Sequence, residues 1–148
     1  SFLPQDGRGN RLPVVVNGQA VTLINESYNA NPLSMRAALD ALATCSEAHQ
    51  RVLVLGDMLE LGDLSASAHL ELAGVLKTFA CRKILLIGTA MKSVKTQLHA
   101  VGEDCEWFPD LDSLAAELSR VARKNDQVLI KASNGIGLQE LIRRFKGN

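Results

Sequence analysis

The sequence predicts an α/β fold in which a mainly parallel sheet lies between two layers of helices. Short apolar runs such as Arg51–Gly56 ("RVLVLG") are typical of strands that are buried on both faces. These runs alternate with longer segments whose apolar residues recur at helical spacing, which indicates βαβ units. The length of 148 residues suits one domain with a hydrophobic core of its own.

The first predicted elements form a hairpin. Two runs rich in β-forming residues, 12–16 and 20–25, are joined through Asn17-Gly18. An Asn-Gly pair accommodates the positive φ angles of a tight hairpin turn, so the two strands should be antiparallel. We expect this hairpin at one edge of the sheet.

The first helix is predicted to begin at Asn31-Pro32. Asn is a favourable N-cap, and Pro suits the first helical position because its missing N–H would have no partner there. Apolar residues then recur at i, i+3, i+4 and i+7, namely Met35, Ala38, Leu39 and Leu42. This spacing predicts one apolar face that packs against the sheet.

The remaining elements alternate in the same way. Further strands are predicted at Arg51–Gly56, 83–88, 105–108 and Gln127–Lys131, and helices at 65–80, 91–99, from 111 onward and within 137–145. Asp63 should cap the helix at 65–80, and Asp110 or Asp112 the helix that starts at 111. No linker, repeat or low-complexity segment divides the chain, so we expect one Rossmann-like three-layer domain.

Composition argues against several classes of function. Apolar residues make up 47% of the chain and charged residues 22%, which is ordinary for a globular protein. The formal net charge of zero argues against a nucleic-acid partner and against electrostatic attachment to a membrane. No apolar run reaches the roughly 18 residues of a transmembrane helix, and "SFLPQDGRGN" lacks the apolar core of a signal peptide. We therefore expect a cytoplasmic protein.

The cysteines and histidines indicate no metal site. Cys45, Cys81 and Cys105 lie far apart and form neither a CxxC pair nor a zinc spacing. We expect them to be reduced and mostly buried. His69 borders the apolar stripe of its predicted helix, which favours a packed, hydrogen-bonded side chain over a catalytic one. The chain suggests no Ser-His-Asp or Cys-His arrangement.

Ligands of open α/β sheets bind beyond the carboxyl ends of the strands, and the segment "NESYNANP" follows one such end. Glu26 can accept hydrogen bonds from a ribose diol, and Tyr28 offers a flat ring and a hydroxyl. Asn29 and Asn31 can both donate and accept. A polar turn that ends in an N-cap is the alternative interpretation.

Two other strand ends are also polar. Asp57 directly follows a strand, where a carboxylate can face a metal–phosphate site or orient a basic side chain, although a solvated loop carboxylate is equally compatible. Lys131 ends the last strand, where an ammonium can neutralise a phosphate or an oxyanion. Ser133 and Asn134 follow it and can bind a carboxylate or an amide. The alternative is a charged strand end followed by a glycine turn.

The common nucleotide-binding loops are missing from the sequence. No GxGxxG follows a strand, and there is no GxxxxGK[ST]. These loops hold the pyrophosphate of a dinucleotide or the phosphates of a triphosphate through backbone amides. Any contact between this domain and a nucleotide is therefore expected to be partial.

Two segments resemble the C-terminal domain of the Mur ligases. They are "LINESYNANPLSMRAALDAL" (23–42) and "VLVLGDMLELGD" (52–63), and in this order and spacing they resemble the branch of the family that adds D-alanyl-D-alanine. The segments "FLPQDGRG" (2–9) and "LIKASNGIGLQELI" (129–142) also resemble parts of that domain. The resemblance therefore covers nearly the whole chain.

The resemblance implies a three-domain ligase of which residues 1–148 form only the third domain. An N-terminal domain would hold the UDP-linked substrate, and a central domain would carry the P-loop and Mg²⁺. ATP would phosphorylate the terminal carboxylate of a UDP-MurNAc-tripeptide. The amine of D-Ala-D-Ala would then attack the acyl phosphate, giving an amide for peptidoglycan synthesis. The third domain alone would be inactive.

The resemblance also implies roles for the polar strand ends. Glu26, Tyr28, Asn29, Asn31 and Pro32 would lie on the ATP side of the cleft.

The other two strand ends would face the same cleft. Lys131 and Asp57 would be catalytic, and Ser133 and Asn134 would bind the incoming dipeptide. The chain departs from the family pattern at two positions: Asp is common where Glu26 stands, and Arg is common where Asn134 stands. A longer carboxylate changes the reach to a ribose, and the missing guanidinium weakens the case for carboxylate binding.

Two other functions stay open on the sequence. A ligase domain similar to folylpolyglutamate synthase would share the fold, but "SYNANP" and "GDMLELG" argue against it. A non-catalytic α/β binding module is compatible with the missing P-loop.

Overall fold

The computed structural model describes residues 10–147, so the segment "FLPQDGRG" lies outside the described residues. One sheet contains β1 (Asn10–Val16), β2 (Gln19–Glu26), β3 (Arg51–Gly56), β4 (Lys83–Ile87), β5 (Glu106–Phe108) and β6 (Gln127–Lys131). The α-helices are α1 (Pro32–Thr44), α2 (Ser65–Leu76), α3 (Met91–Ala100), α4 (Leu111–Val121) and α5 (Gln139–Lys146). The predicted alternation of strands and helices is confirmed.

The strands lie across the sheet in the order β1-β2-β6-β3-β4-β5. β1 pairs antiparallel with β2 at one edge, and all other neighbours are parallel. Asn17 and Gly18 have φ angles of 49° and 79°, the left-handed pair that a type I′ hairpin turn requires. The predicted antiparallel hairpin at the sheet edge is therefore confirmed.

Two apolar cores, one on each face of the sheet, make the domain three layers thick. Helices α1, α2 and α3 cover one face through buried residues such as Leu39, Leu72 and Leu98. Helices α4 and α5 cover the other face through residues such as Leu118 and Leu141. The fold is therefore the mainly parallel, three-layer α/β domain that the sequence predicts.

The position of β6 determines where the loops diverge. The loops after β2 and β3 lead to α1 and α2 on one face, whereas the loop after β6 leads to α5 on the other face. Since β6 lies between β2 and β3, its carboxyl end opens into a crevice between loops that run in opposite directions. Such a switch point is where open α/β sheets bind ligands.

Two predictions about helix ends are wrong. Helix α2 ends at Leu76 rather than near residue 80, because the amides of Thr78 and Phe79 bond three residues back. The ring of Phe79 lies beneath the guanidinium of Arg51, whose Cζ is 5.5 Å from the ring centre. Asp63 does not cap α2, since it lies in a short 3₁₀ turn and no side chain caps the helix. Asp110 does cap α4, accepting from the Ser113 amide at 2.8 Å.

The cysteines are less buried than predicted. Only Cys105 of the three is buried, whereas Cys81 is half-buried and Cys45 is exposed at the end of α1. Burial raises the pKa of Cys81 and of Cys105 to about 11. Both thiols therefore stay protonated at neutral pH.

A buried ion pair joins the elements at the amino edge of the sheet. Arg82, just before β4, pairs with Asp126, just before β6, and their side chains are 10% and 2% exposed. Arg82 also donates to the carbonyls of His49 and Val121, both at 3.1 Å. Asp126 accepts the Arg123 amide at 2.7 Å. The pair therefore has the additional hydrogen bonds that a buried charge needs.

Arg82→Ala should lower the free energy of unfolding by about 3–5 kcal/mol, because Asp126 stays buried without its partner. The matched control is Arg36→Ala, which breaks an exposed pair with Glu71 and should cost less than about 1 kcal/mol. Urea unfolding of the two variants measures both losses. Equal losses would contradict the importance of burial here.

Candidate functional site

Three polar strand ends meet at the carboxyl edge of the sheet. In the parallel register, Glu26 of β2 lies opposite Lys131 of β6, and Lys131 lies opposite Leu55 of β3 on its other side. Asp57 follows β3 immediately. The fold thus brings together Glu26, Lys131 and Asp57, which are far apart in the sequence.

Lys131 is the central residue of this edge. Its side chain is 3% exposed, and its Nζ donates to Glu26 Oε1 at 3.0 Å and to the carbonyl of Asn29 at 2.9 Å. Glu26 is also largely buried, with its side chain 12% exposed. The ammonium is therefore paired within the protein. Its predicted role in neutralising a phosphate stays a prediction.

A pocket of about 400 Å³ opens beside this ion pair. Its polar lining comes from Glu26, Tyr28, Asn29 and Lys131, and its other wall is the first turns of α1. That wall consists of small side chains at helical spacing, namely Ser34, Ala37, Ala38 and Ala41. None of these four residues is among the predicted site residues, although their spacing of i, i+3, i+4 and i+7 indicates one face of small side chains.

The loop from β2 to α1 is tightly organised. Asn25 Oδ1 accepts the amide and the hydroxyl of Ser27, at 3.1 and 2.7 Å, which forms a local turn. Asn31 is the N-cap of α1, and it exchanges reciprocal hydrogen bonds with Ser34 at 2.8 and 3.0 Å. Pro32 opens the helix as predicted. Asn31 therefore has a structural role, and its predicted nucleotide contact stays a prediction.

Asp57 caps the N-terminus of helix α3 with its side chain. Its two carboxylate oxygens accept the amides of Ala90 and Met91 at the start of α3, each at 3.0 Å. A negative charge there is favourable because the helix N-terminus carries partial positive charge. Its backbone carbonyl accepts the Ser133 amide at 3.0 Å. Asp57 thus connects the loops after β3, β4 and β6, and its predicted catalytic role stays a prediction.

Ser133 and Asn134 line a second pocket, of about 490 Å³. Tyr28 and Asn29 also line it, so the two pockets share the loop after β2. Ser133 Oγ accepts the Leu59 amide at 2.8 Å and holds the loop after β3. The amide oxygen of Asn134 accepts a hydrogen bond from the Gln139 side chain.

His69 is packed, as its position at the edge of an apolar stripe predicts. It is 1% exposed, and its Nε2 accepts the Met58 amide at 3.2 Å. Its Nδ1 lies 2.8 Å from the Ser65 carbonyl, which requires a proton on Nδ1. The histidine therefore anchors the loop that follows Asp57 to α2.

Metal ligation has no support from the described residues. No group of three or more His, Cys, Asp and Glu side chains within residues 10–147 could hold a metal ion. Over the same residues, no helix combines the length and apolar character needed to cross a membrane.

The fold and the site together define a class of protein: a three-layer α/β domain whose polar groups converge at the carboxyl edge of a mainly parallel sheet. Comparison with known proteins is more specific. The chain belongs to the family described as Mur ligase, glutamate ligase domain, whose model matches residues 10–134.

Several relatives share one name. The chain is 31% identical over 137 residues to the UDP-N-acetylmuramoyl-tripeptide–D-alanyl-D-alanine ligase of Bacillus subtilis, covering 91% of this chain and 30% of that protein. It is 32% identical over 128 residues to the Escherichia coli protein of the same name, covering 85% and 27%. The chain therefore spans less than a third of the length of these relatives.

Solved structures agree on the fold. MurF from Acinetobacter baumannii superposes with a TM-score of 0.76 at 25% identity, covering 97% of this chain and 31% of that one. MurF ligase from Thermotoga maritima, solved in complex with ADP, superposes with a TM-score of 0.75 at 22% identity, covering 99% and 32%. At that identity the second likeness shows the fold alone.

Gly88→Ala should destabilise the domain at least twice as much as Gly102→Ala. Both glycines have positive φ, 111° and 77°, so each substitution costs roughly 1–2 kcal/mol in backbone strain. Only at Gly88 would the new methyl overlap the Asp57 carboxylate, since nothing lies within 4 Å at Gly102. Thermal unfolding compares the two variants. When Gly88→Ala is combined with Asp57→Ala, the loss should be smaller than the sum of the two single losses, and strict additivity would contradict the clash.

Proposed function

We propose that this chain is the C-terminal domain of an ATP-dependent ligase that joins D-Ala-D-Ala to UDP-MurNAc-tripeptide in peptidoglycan precursor synthesis. The observation that carries the proposal is the 31% identity over 91% of this chain to a ligase of that name. The site supports it independently, because its polar groups lie at the switch point where α/β sheets bind ligands.

The proposal divides the work among three domains. An N-terminal domain holds the UDP-linked substrate, and a central domain supplies the P-loop that this sequence lacks. Mg²⁺ belongs to the central domain in this proposal. The assembled enzyme is cytoplasmic, where ATP and the nucleotide-linked substrate are available.

The pocket beside the Glu26–Lys131 pair suits the nucleoside part of ATP. Glu26 offers a carboxylate acceptor to a ribose hydroxyl, and Tyr28, 39% exposed, offers a ring face to the base. The small side chains of α1 leave space for a flat group. Asn29 adds a polar group at the rim of the pocket. Asn31 and Pro32 fix where α1, the other wall of the pocket, begins.

The second pocket suits the incoming dipeptide. Ser133 and Asn134 border it, and the loop after β3 forms its other side. Polar side chains and amides at this position can receive the carboxylate or the amide of D-Ala-D-Ala. The two pockets share Tyr28 and Asn29, which places the proposed nucleotide and dipeptide next to each other.

The chemistry follows from this arrangement. ATP transfers its γ-phosphoryl group to the terminal carboxylate of the tripeptide, and the dipeptide amine attacks the resulting acyl phosphate and releases phosphate. Little covalent chemistry falls to the protein, so the rate depends on positioning the reactants and on excluding water. A third domain that closes over ATP and presents the dipeptide contributes to both.

The test is ADP release by the full-length enzyme. ADP should appear only when ATP, UDP-MurNAc-tripeptide and D-Ala-D-Ala are all present, and the isolated chain should release none. Isothermal titration of ATP into the isolated chain should show weak binding, with a Kd above about 1 mM, because most phosphate contacts belong to the central domain. Tight ATP binding by the isolated chain would contradict the proposal.

Tyr28→Ala in the full-length enzyme should raise the KM for ATP about tenfold, the effect of losing roughly 1.4 kcal/mol of ring contact. Val101→Ala is the matched control, since Val101 is also exposed but lies at the end of α3, away from the pocket. Steady-state kinetics at varied ATP gives both values. An unchanged KM in the Tyr28 variant would contradict the assignment of this pocket.

A further inference from the structure

The Lys131 ammonium is already engaged in hydrogen bonds within the protein. Three N–H groups are available on an ammonium, and two of them already donate to Glu26 and to the Asn29 carbonyl. The side chain is 3% exposed, and its charge is compensated by a carboxylate at 3.0 Å. Moving it toward a phosphate would break both hydrogen bonds and separate two opposite charges that lie largely buried, which is costly.

We infer that Lys131 is a positioning residue, which holds the loop 27–31 in the conformation that forms both pockets; this inference rests on the proposed function. The ammonium connects β6 to the loop through the Asn29 carbonyl and to β2 through Glu26. Tyr28 and Asn29 of that loop line both pockets. Removal of the ammonium should therefore displace the part of each pocket's lining that Tyr28 and Asn29 form.

The rest of the loop is held by uncharged hydrogen bonds. Ser27 bonds to Asn25, and the Ser133 hydroxyl lies 3.4 Å from the Ala30 carbonyl. The bonds of Lys131 are charge-assisted, so they are the stronger constraint. Lys131 also sets which way Glu26 points, because the ion pair fixes one of its carboxylate oxygens.

The pairing has an electrostatic consequence for the nucleotide. An unpaired carboxylate at the edge of the pocket would repel the phosphates of ATP. With Lys131 beside it, Glu26 presents acceptor oxygens while the pair as a whole is neutral. Removing the lysine charge should therefore weaken nucleotide binding, and neutralising Glu26 at the same time should restore part of it.

The experiment uses Lys131→Met, Glu26→Gln and the double variant in the full-length enzyme, with Lys124→Met as control. Lys124 is exposed before β6, at the opposite edge of the sheet. We expect Lys131→Met to raise the KM for ATP about tenfold and to change kcat less than about threefold. The double variant should have a lower KM for ATP than Lys131→Met, and Lys124→Met should match the unmodified enzyme.

Three kinetic outcomes would overturn the inference. A fall in kcat of about 100-fold or more with an unchanged KM would mean that Lys131 contacts the reacting phosphate. A double variant that is worse than Lys131→Met would contradict the charge compensation. An unchanged Lys131→Met enzyme would show that the ion pair does not position the loop.

A second measurement tests positioning without the reaction. In the 148-residue chain, amide hydrogen exchange across residues 27–31 should be at least about tenfold faster in Lys131→Met, while β4 keeps its protection. Protection of β4 also shows that the variant is folded. Unchanged exchange at 27–31 would overturn the inference. Failure of the unmodified full-length enzyme to release ADP would contradict the proposed function. It would not affect the hydrogen-exchange test of loop positioning.

Discussion

The site depends on the insertion of the last strand, β6, between β2 and β3. This placement puts the end of β6 beside two strand ends that come from the first 57 residues. It also separates the loops, because the chain leaves β6 toward one face and leaves β2 and β3 toward the other. Both pockets open at this divergence, and the residues around them hold the divergent loops in place.

Hydrogen bonds within the protein occupy much of the polar content of this edge. Lys131 holds the loop after β2, Asp57 holds the start of α3, and Ser133 holds the loop after β3. Each of these three side chains forms a hydrogen bond with a backbone group that would otherwise bind water. The loops are therefore organised before any ligand binds. The side chains that stay accessible, chiefly Tyr28 and Asn29, belong to the loop shared by the two pockets. At the opposite edge of the sheet, where the parallel strands begin, the buried Arg82–Asp126 ion pair joins the elements.

Much of the fold could be predicted because its signals are local. Arg51–Gly56 and Gln127–Lys131 are apolar runs with clear ends, and the Asn31-Pro32 start of α1 combines two favourable residues in order. The end of α2 could not be predicted, because helical periodicity continues to Phe79 while the chain already turns to place that ring beneath Arg51.

The contacts within the site could not be predicted for a different reason. Glu26 and Lys131 are 105 residues apart, and no local pattern says that β6 lies next to β2. The polar strand ends were visible in the sequence, but their partners depend on the strand order. The same holds for Asp57, whose helix-capping role requires α3 to start beside β3. The sequence therefore indicates which edge of the sheet carries the site, whereas the role of each residue there depends on tertiary contacts.

The central claim is that the pocket between the end of β2 and α1 receives the nucleoside of ATP. A crystal structure of the full-length enzyme with a non-hydrolysable ATP analogue and the UDP-linked substrate tests it most directly. The expected result places the ribose within hydrogen-bond distance of the Glu26 carboxylate and the base against Tyr28. A closed complex in which the nucleoside lies away from both residues, for example beside Trp107 in β5, would contradict the account.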